Sequence, residues 1–370
     1  MLLFEAEADL SKKWKDDNFY YFLWGNSFPN DVYQLMKEPN PPKGFYVVGP
    51  EEWEPVTLFY DPFVYECFKY YIEANNIDFK IIAGAITDKT HNINYTYAND
   101  PNFANHPTYF AHCIVTHAMD HQVFPYGINK RISKLFTSLN GRPHPWRCEF
   151  IDNMYANDLF DVGYVSWHEL DHTNDVYDYE WKHWTPKKMS FDVNWERTDG
   201  MKDLYLPPDQ FRTSAISLVS ESNTKCLFYT EKTFVPIFHK RAFFIYGAPY
   251  ANTYLEKLGF KIFDNIIDYS FDSIIDDSKR CQAYFKEVAK LKQIPYNEIV
   301  EMLQPRVEHN FARMLDIIEN KEYIPDIWNK ITSKNKDHEF LSNYERILNI
   351  SDEEVYKEWK YKYENSVNWK

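Results

Sequence analysis

Glu231 and Lys232 stand side by side in the segment YTEKTFVPIF, where a polar loop gives way to a helix-forming run. A carboxylate accepts two hydroxyl donors at once, and an ammonium beside it offsets the charge of a phosphate. The pair suits a ligand that carries both ribose and diphosphate, with Glu231 on the ribose hydroxyls and Lys232 on the phosphate charge. The same residues also read as a helix cap, with Thr230 as N-cap and Glu231 complementing the helix dipole. Arg147, Lys240 and Arg241 are further candidate cations in this half of the chain. Lys240 and Arg241 fall at the far end of the helix from Lys232 and read as a solvated C-terminal cap.

Two further patterns carry a chemical suggestion. His168-Glu169-Leu170-Asp171-His172 matches HExxH, which binds zinc when both histidines share a helix face and a third ligand, here Glu180 or Glu196, lies beyond. GYVSW before it reads as a strand and DHTND after it as a turn, so no zinc site is expected. His117 and His121 also stand four apart and read as loop or core residues. Asp175, Asp178 and Glu180 approximate a metal-binding DxD element but read as an acidic loop, and no obligatory metal or cofactor is expected.

The elements that must position these residues alternate. FYYFLW (19–24), GFYVV (44–48), FKIIAGAI (79–86) and YFAHCIVT (109–116) read as strands, with helical periodicity over 63–74. A second unit begins near Ile132: KLFTS (134–138) as a strand, 146–157 as a helix and GYVSW (163–167) as a strand. A polar, proline-dotted excursion follows over 171–210. From Ala215 the order is strand, polar loop, helix, strand closed by Gly247, and another helix within 254–272. Charged helical patterns dominate from Ser278 to Lys370. Strands alternating with helices imply a mostly parallel sheet covered on both faces. The expected architecture is two α/β domains facing each other across a cleft, 1–130 and 131–277. A helical tail, 278–370, braces them, its last helix crossing back to the first domain.

The run SLVSESNTKCLFYTEKTFVPIF, followed by an apolar strand and Gly247, resembles the donor-binding segment of the α-1,3-fucosyltransferases, and the exostosin-like glycosyltransferases have a comparable layout. Glu221-Ser222-Asn223 stands in for the family's Glu-Asn-Ser-like element, and Thr230-Glu231-Lys232 matches its Thr-Glu-Lys element. In KLFTSLNGRPHPWRCEFIDNM, Arg147 falls where the family places an arginine facing the donor diphosphate. The similarity covers roughly 130–270 and implies a nucleotide-sugar transferase of the GT-B arrangement, two Rossmann-like domains. The wording between Glu221 and Glu231 departs from the fucosyltransferase pattern, and the N-terminal half shows no acceptor motif of the family. The implied donor-binding residues are Arg147, Ser220, Glu221, Asn223, Thr230, Glu231 and Lys232. An inverting transferase needs a base for the acceptor hydroxyl. Asp88 takes that place after the strand ending at Ile86, with Glu51, Glu52 and His117 as rivals and a turn residue as the plain alternative.

Composition narrows the partners. A net charge of −14 argues against nonspecific coating of nucleic acid. The five cysteines, Cys67, Cys113, Cys148, Cys226 and Cys281, are scattered and odd in number, as in a reducing compartment, and a cytoplasmic protein is expected. MLLFEAEADLSKKWK interrupts its apolar run with acids, unlike a signal peptide, and no stretch is long enough to span a membrane. Aromatic residues reach 18% but are spread evenly, which fits an AT-rich coding bias better than dedicated stacking platforms. The expected reaction moves a sugar from a nucleoside-diphosphate donor to a hydroxyl of a glycan or lipid-linked sugar. Hydroxymethylated bases of phage-type DNA are an alternative acceptor, for which Lys12, Lys13, Lys15, Lys130, Arg131, Lys134, Lys187 and Lys188 would form a local basic track. A non-catalytic binding protein of the same fold is the alternative of another class.

Overall fold

A computed structural model of the chain describes residues 13–15, 19–23, 37, 40–41, 43–49, 69–83, 103–105, 107–128, 131–141, 143–167, 179–187, 189, 209–322 and 353–365. The chain divides into two compact units, 1–109 with 321–351 and 110–320 with 352–370.

The first unit contains a five-stranded sheet in the order β1 (Lys13–Lys15), β2 (Phe19–Leu23), β3 (Gly44–Gly49), β4 (Asp78–Ala83), β5 (Phe103–Asn105). Strand β1 is antiparallel to β2; the other pairs are parallel, with Phe19 opposite Gly44, Gly44 opposite Asp78 and Ile81 opposite Phe103. Residues 69–74 are helical, and Ile72, Ile77 and Phe79 are buried. The described strands lie side by side in chain order, so the order does not reverse among them.

The segment 109–116, expected as a strand, is instead the start of helix α1 (Tyr109–Asp120). A short apolar run cannot by itself separate a buried strand from a buried helix. Here the apolar residues continue to Met119, and those that bury are Ala111, Ile114, Val115, Ala118 and Met119, spaced for one helix face.

The second unit is built on a four-stranded parallel sheet in the order β7-β6-β8-β9, with β6 (Lys134–Ser138), β7 (Gly163–Val165), β8 (Ser214–Ser220) and β9 (Ala242–Tyr246). From β6 the chain turns one way to β7, then returns to the other side of β6 for β8 and β9. The strand order therefore reverses between β6 and β8. Gly163 is required at the edge, because a Cβ there would lie 2.2 Å from the Phe136 ring.

Every residue of β8 and β9 is buried, which demands cover on both faces. Helices α2 (Pro145–Ala156) and α5 (Asp277–Lys290) supply one pair; Phe150 of α2 packs on Phe285 at 4.7 Å and Tyr246 at 5.5 Å. Helices α3 (Glu231–Phe238) and α6 (Tyr296–Glu319) supply the other, with Phe238 and Phe311 at 6.3 Å. The helix expected within 254–272 is the short α4 (Ala251–Lys257), ended by Gly259 at φ +90°; the chain turns helical again only over Tyr269–Ser273.

The last described helix, α7 (Glu353–Asn365), packs on the second unit itself, where it was expected to reach the first. Trp359 is the reason. Its indole is fully buried, stacks on Phe124 at 5.9 Å and Phe238 at 6.1 Å, and donates to the Val123 carbonyl at 2.9 Å. Of the excursion over 171–210, the described part 179–187 has no helix or strand and is held by Asp152. Both carboxylate oxygens of Asp152 accept backbone N–H groups, from Lys182 (3.0 Å), His183 (2.9 Å) and Trp184 (2.8 Å).

No described helix is long and apolar enough to cross a membrane.

Candidate functional site at the carboxyl edge of the second sheet

In open parallel sheets, ligands bind outside the carboxyl ends of the strands where strand order reverses, because the loops part there and helix N-termini face the gap. In the second sheet that place is bounded by Ser138–Asn140 after β6 and Ser220–Ser222 after β8. The register that pairs Phe136 with Ile216 and Thr137 with Ser217, continued to the strand ends, sets Asn140 level with Ser220. Asn140 is fully buried and ties β6 to β7: its N–H donates to the Ser166 hydroxyl (3.0 Å) and its amide to Ser138 Oγ (3.0 Å) and the Ser166 carbonyl (3.2 Å).

Three helix N-termini adjoin these strand ends, and two are already closed by carboxylates. Asp272 closes α4, accepting from the N–H groups of Asn252 (3.1 Å) and Thr253 (2.9 Å). Glu221 closes α3. Its oxygens accept from Ser222 N (3.1 Å), Thr230 N (3.2 Å), Thr230 Oγ1 (2.7 Å) and Thr233 Oγ1 (2.5 Å). A carboxylate offers about four acceptor directions, so Glu221 is fully engaged in pinning α3 to the end of β8. Burial raises its carboxyl above the usual carboxylate range, against the opposing pull of Lys232 and the Thr233 and Thr230 hydroxyls. The third N-terminus, that of α2, has no side-chain cap: His144 precedes Pro145 and Arg147 lies in the first turn.

With α3 so anchored, Thr230 is its N-cap, accepting from Lys232 N at 3.3 Å while donating to Glu221. Lys232 reaches from the first turn to Glu231, with which it forms an ion pair, and to the Ser222 hydroxyl at 3.2 Å. Burial opposes ionisation of Glu231, but the charge and hydrogen bond of Lys232, the helix backbone and the charge of Arg147 outweigh it and hold the carboxyl below its usual range. Arg147 is 3% exposed and close enough for Glu231 to feel its charge. The three residues expected to grip a sugar diphosphate therefore share one place. Ser220 is buried beside them, and its hydroxyl has no hydrogen-bond partner. Asn223 turns the following loop, its side-chain oxygen accepting from Lys225 N (2.6 Å) and Cys226 N (3.1 Å).

Several contributors had no sequence signal. Trp146 donates to the Glu221 carbonyl at 3.3 Å and stacks on His144 at 4.7 Å, which joins the start of α2 to the end of β8. Arg280 is 1% exposed and donates to the carbonyls of Gly247 (3.1 Å), Ile274 (2.6 Å), Ile275 (3.1 Å) and Thr224 (3.4 Å), binding the loops after β8 and β9 to α5. Asp277 completes that tie with Arg280 (2.7 Å), Lys225 (2.6 Å) and Thr224 (3.0 Å). Asp276 caps the start of α5, accepting from the Lys279 N–H.

Lys240 and Arg241 lie at the opposite end of α3, as expected, but neither is a solvated cap. Lys240 pairs with Glu308 at 2.7 Å beneath the Phe311 ring, and Arg241 is 1% exposed. His117 is on α1 and His121 just past its end, with ring centroids 4.2 Å apart. Asp88, Glu51, Glu52, the HExxH histidines, Asp175, Asp178 and Glu196 lie outside the described residues; Glu180 is exposed. Among the described residues no three His, Cys, Asp or Glu side chains are grouped to hold a metal ion.

No protein-family model matches the chain, and no curated protein matches it.

Proposed function

We propose that the chain is a glycosyltransferase of GT-B type, taking a sugar from a nucleoside-diphosphate donor held in the second unit at the reversal between β6 and β8. One observation carries the reading. Arg147, in the uncapped first turn of α2, lies within electrostatic range of Glu231 and its partner Lys232, at the edge where such a ligand binds. A diphosphate brings negative charge to a place that has two cations and an open helix N-terminus.

The chemistry follows from charge. Glycosyl transfer passes through an oxocarbenium-like transition state while negative charge grows on the departing diphosphate. Arg147 and Lys232 offset that charge, in a setting where burial makes fixed cations more effective than in water. Glu231 accepts the ribose hydroxyls once a phosphate draws Lys232 toward itself. Glu221, Thr230 and Asn223 act one step back: they set the entry of α3 and the shape of the loop, and Ser220 offers a hydroxyl to the ligand. The acceptor proton is given to Asp88 on the sequence pattern alone. The acceptor is a glycan or lipid-linked sugar, with a hydroxymethylated DNA base as the alternative. Cytoplasmic action, where such donors are available, accords with buried free thiols at Cys148, Cys226 and Cys281.

Thermal-shift titration with UDP, GDP, CDP and ADP tests the reading. One nucleotide should raise the midpoint, and Arg147→Met and Glu231→Ala should each weaken its binding at least about ten-fold, as loss of a charge-assisted contact does. No response to any nucleotide would leave the non-catalytic reading. Unchanged affinity in both variants would remove the site.

A further inference from the structure

At the amino edge of the same sheet, opposite the proposed donor site, two guanidinium groups lie by one tyrosine, and among the described residues neither is in an ion pair. Arg241 immediately precedes β9 and is 1% exposed. Its Nη2 donates to the Ser214 carbonyl and, at 3.2 Å, to the Ser214 hydroxyl, while its Nε and Nη1 have no partner. Its plane lies 5.6 Å from the centre of the Phe211 ring. Arg212, in the turn before β8, stands 5.1 Å over the ring of Tyr126, and its buried Nε is also without a partner. Tyr126 feels the charge of both arginines and, more weakly, that of Asp209 in the same turn as Arg212. No described carboxylate pairs with either one.

Burying a guanidinium without an anion is strongly unfavourable, since the lost hydration is not replaced. An arginine, unlike a lysine or histidine, does not escape by giving up its proton. Desolvation nevertheless pulls Arg241 down to about 9, with Tyr126 opposing. Three N–H bonds of Arg241 and one of Arg212 remain to be satisfied. A tetrahedral oxyanion satisfies several such donors at once and supplies the charge.

We propose that Arg241 and Arg212 form a second anion site, which takes inorganic phosphate or the phosphate group of a small metabolite and is separate from the donor site. Helix α3 ends three residues before Arg241 and begins with Glu231 and Lys232, so the two sites lie at opposite ends of one eight-residue helix. The inference does not rest on the transferase reading.

The probe is inorganic phosphate against chloride at equal ionic strength, read by thermal denaturation of the full chain. At about ten times its dissociation constant, phosphate should raise the midpoint by about 3–6 °C. Arg241→Met should abolish the response, and Arg212→Gln should weaken apparent affinity about ten-fold or more. Arg147→Met, at the other edge, should leave the response intact. Equal midpoints in phosphate and chloride overturn the proposal, and so does a response that survives Arg241→Met or is lost in Arg147→Met. Should Arg241→Met fail to fold, Arg212→Gln decides: unchanged affinity refutes the site. Parallel titration with a sugar phosphate distinguishes a metabolite from free phosphate by which binds more tightly. Neither outcome depends on nucleotide binding.

Discussion

Glu221→Ala is the sharpest probe of how the candidate site is held together. Removing the carboxylate takes the acceptor from four donors, two of them backbone N–H groups, of Ser222 and Thr230, that cannot turn elsewhere. The Thr230 and Thr233 hydroxyls can rotate, though their surroundings are buried. At about 1–3 kcal/mol for each stranded amide, and with the desolvation of the carboxylate recovered, the net loss should be about 4 kcal/mol. That corresponds to about 10 °C in melting temperature for a unit of this size. Glu221→Gln keeps the shape and one acceptor but turns an NH2 group toward a donor, so it should lose about 1–3 kcal/mol. Urea unfolding followed by tryptophan fluorescence, with the slope checked against wild type, gives both numbers. An alanine variant within about 0.5 kcal/mol of wild type would refute the clamp. So would a glutamine variant that keeps full stability yet loses nucleotide binding, because Glu221 would then contact the ligand directly.

Three other outcomes follow from the same structure. Asp152→Ala should release the segment around Lys182–Trp184, read as new proteolytic cleavage there in the native protein, and lower stability by about 1–3 kcal/mol as three N–H groups, that of Trp184 buried, lose their acceptor. Trp359→Ala empties a fully buried indole site and should lower stability by about 3–5 kcal/mol by urea denaturation. Asp277 opposes its own burial through Lys225 and Arg280, which hold its carboxyl below the ordinary 3.8. Its contribution is therefore present above that pH and lost as pH falls through the lower folded value. Asp277→Asn should be less stable by about 1–2 kcal/mol at pH 7, the exposed Lys225 adding little, and the gap to wild type should close below pH 3.8.

Much of the second unit was legible as local pattern. KLFTS, SAISLVS and AFFIY are short apolar runs bounded by turn residues, and a strand buried on both faces produces that signature. Thr230 ahead of Glu231 announced a helix start, and α3 begins there. The same rule failed at 109–116, where an apolar run of strand length belonged to a longer helix. Lys240 and Arg241 misled for a related reason: a basic pair after a helix reads as solvated, and only packing around β9 shows that Arg241 is enclosed.

Local chemistry along the chain thus determined which residues form the strands of the second unit, where α3 begins, and that Glu231 and Lys232 open a helix. These depend on neighbours within one or two turns. Tertiary structure alone decided the strand order β7-β6-β8-β9, the approach of Arg147 to Glu231, and the use of Glu221 as an anchor in place of an open ligand group. Arg147 and Glu231 sit on different helices, and Asp277 meets Lys225 across 52 positions. Such pairs leave no periodic trace, because what joins them is the closing of the sheet and the burial that follows.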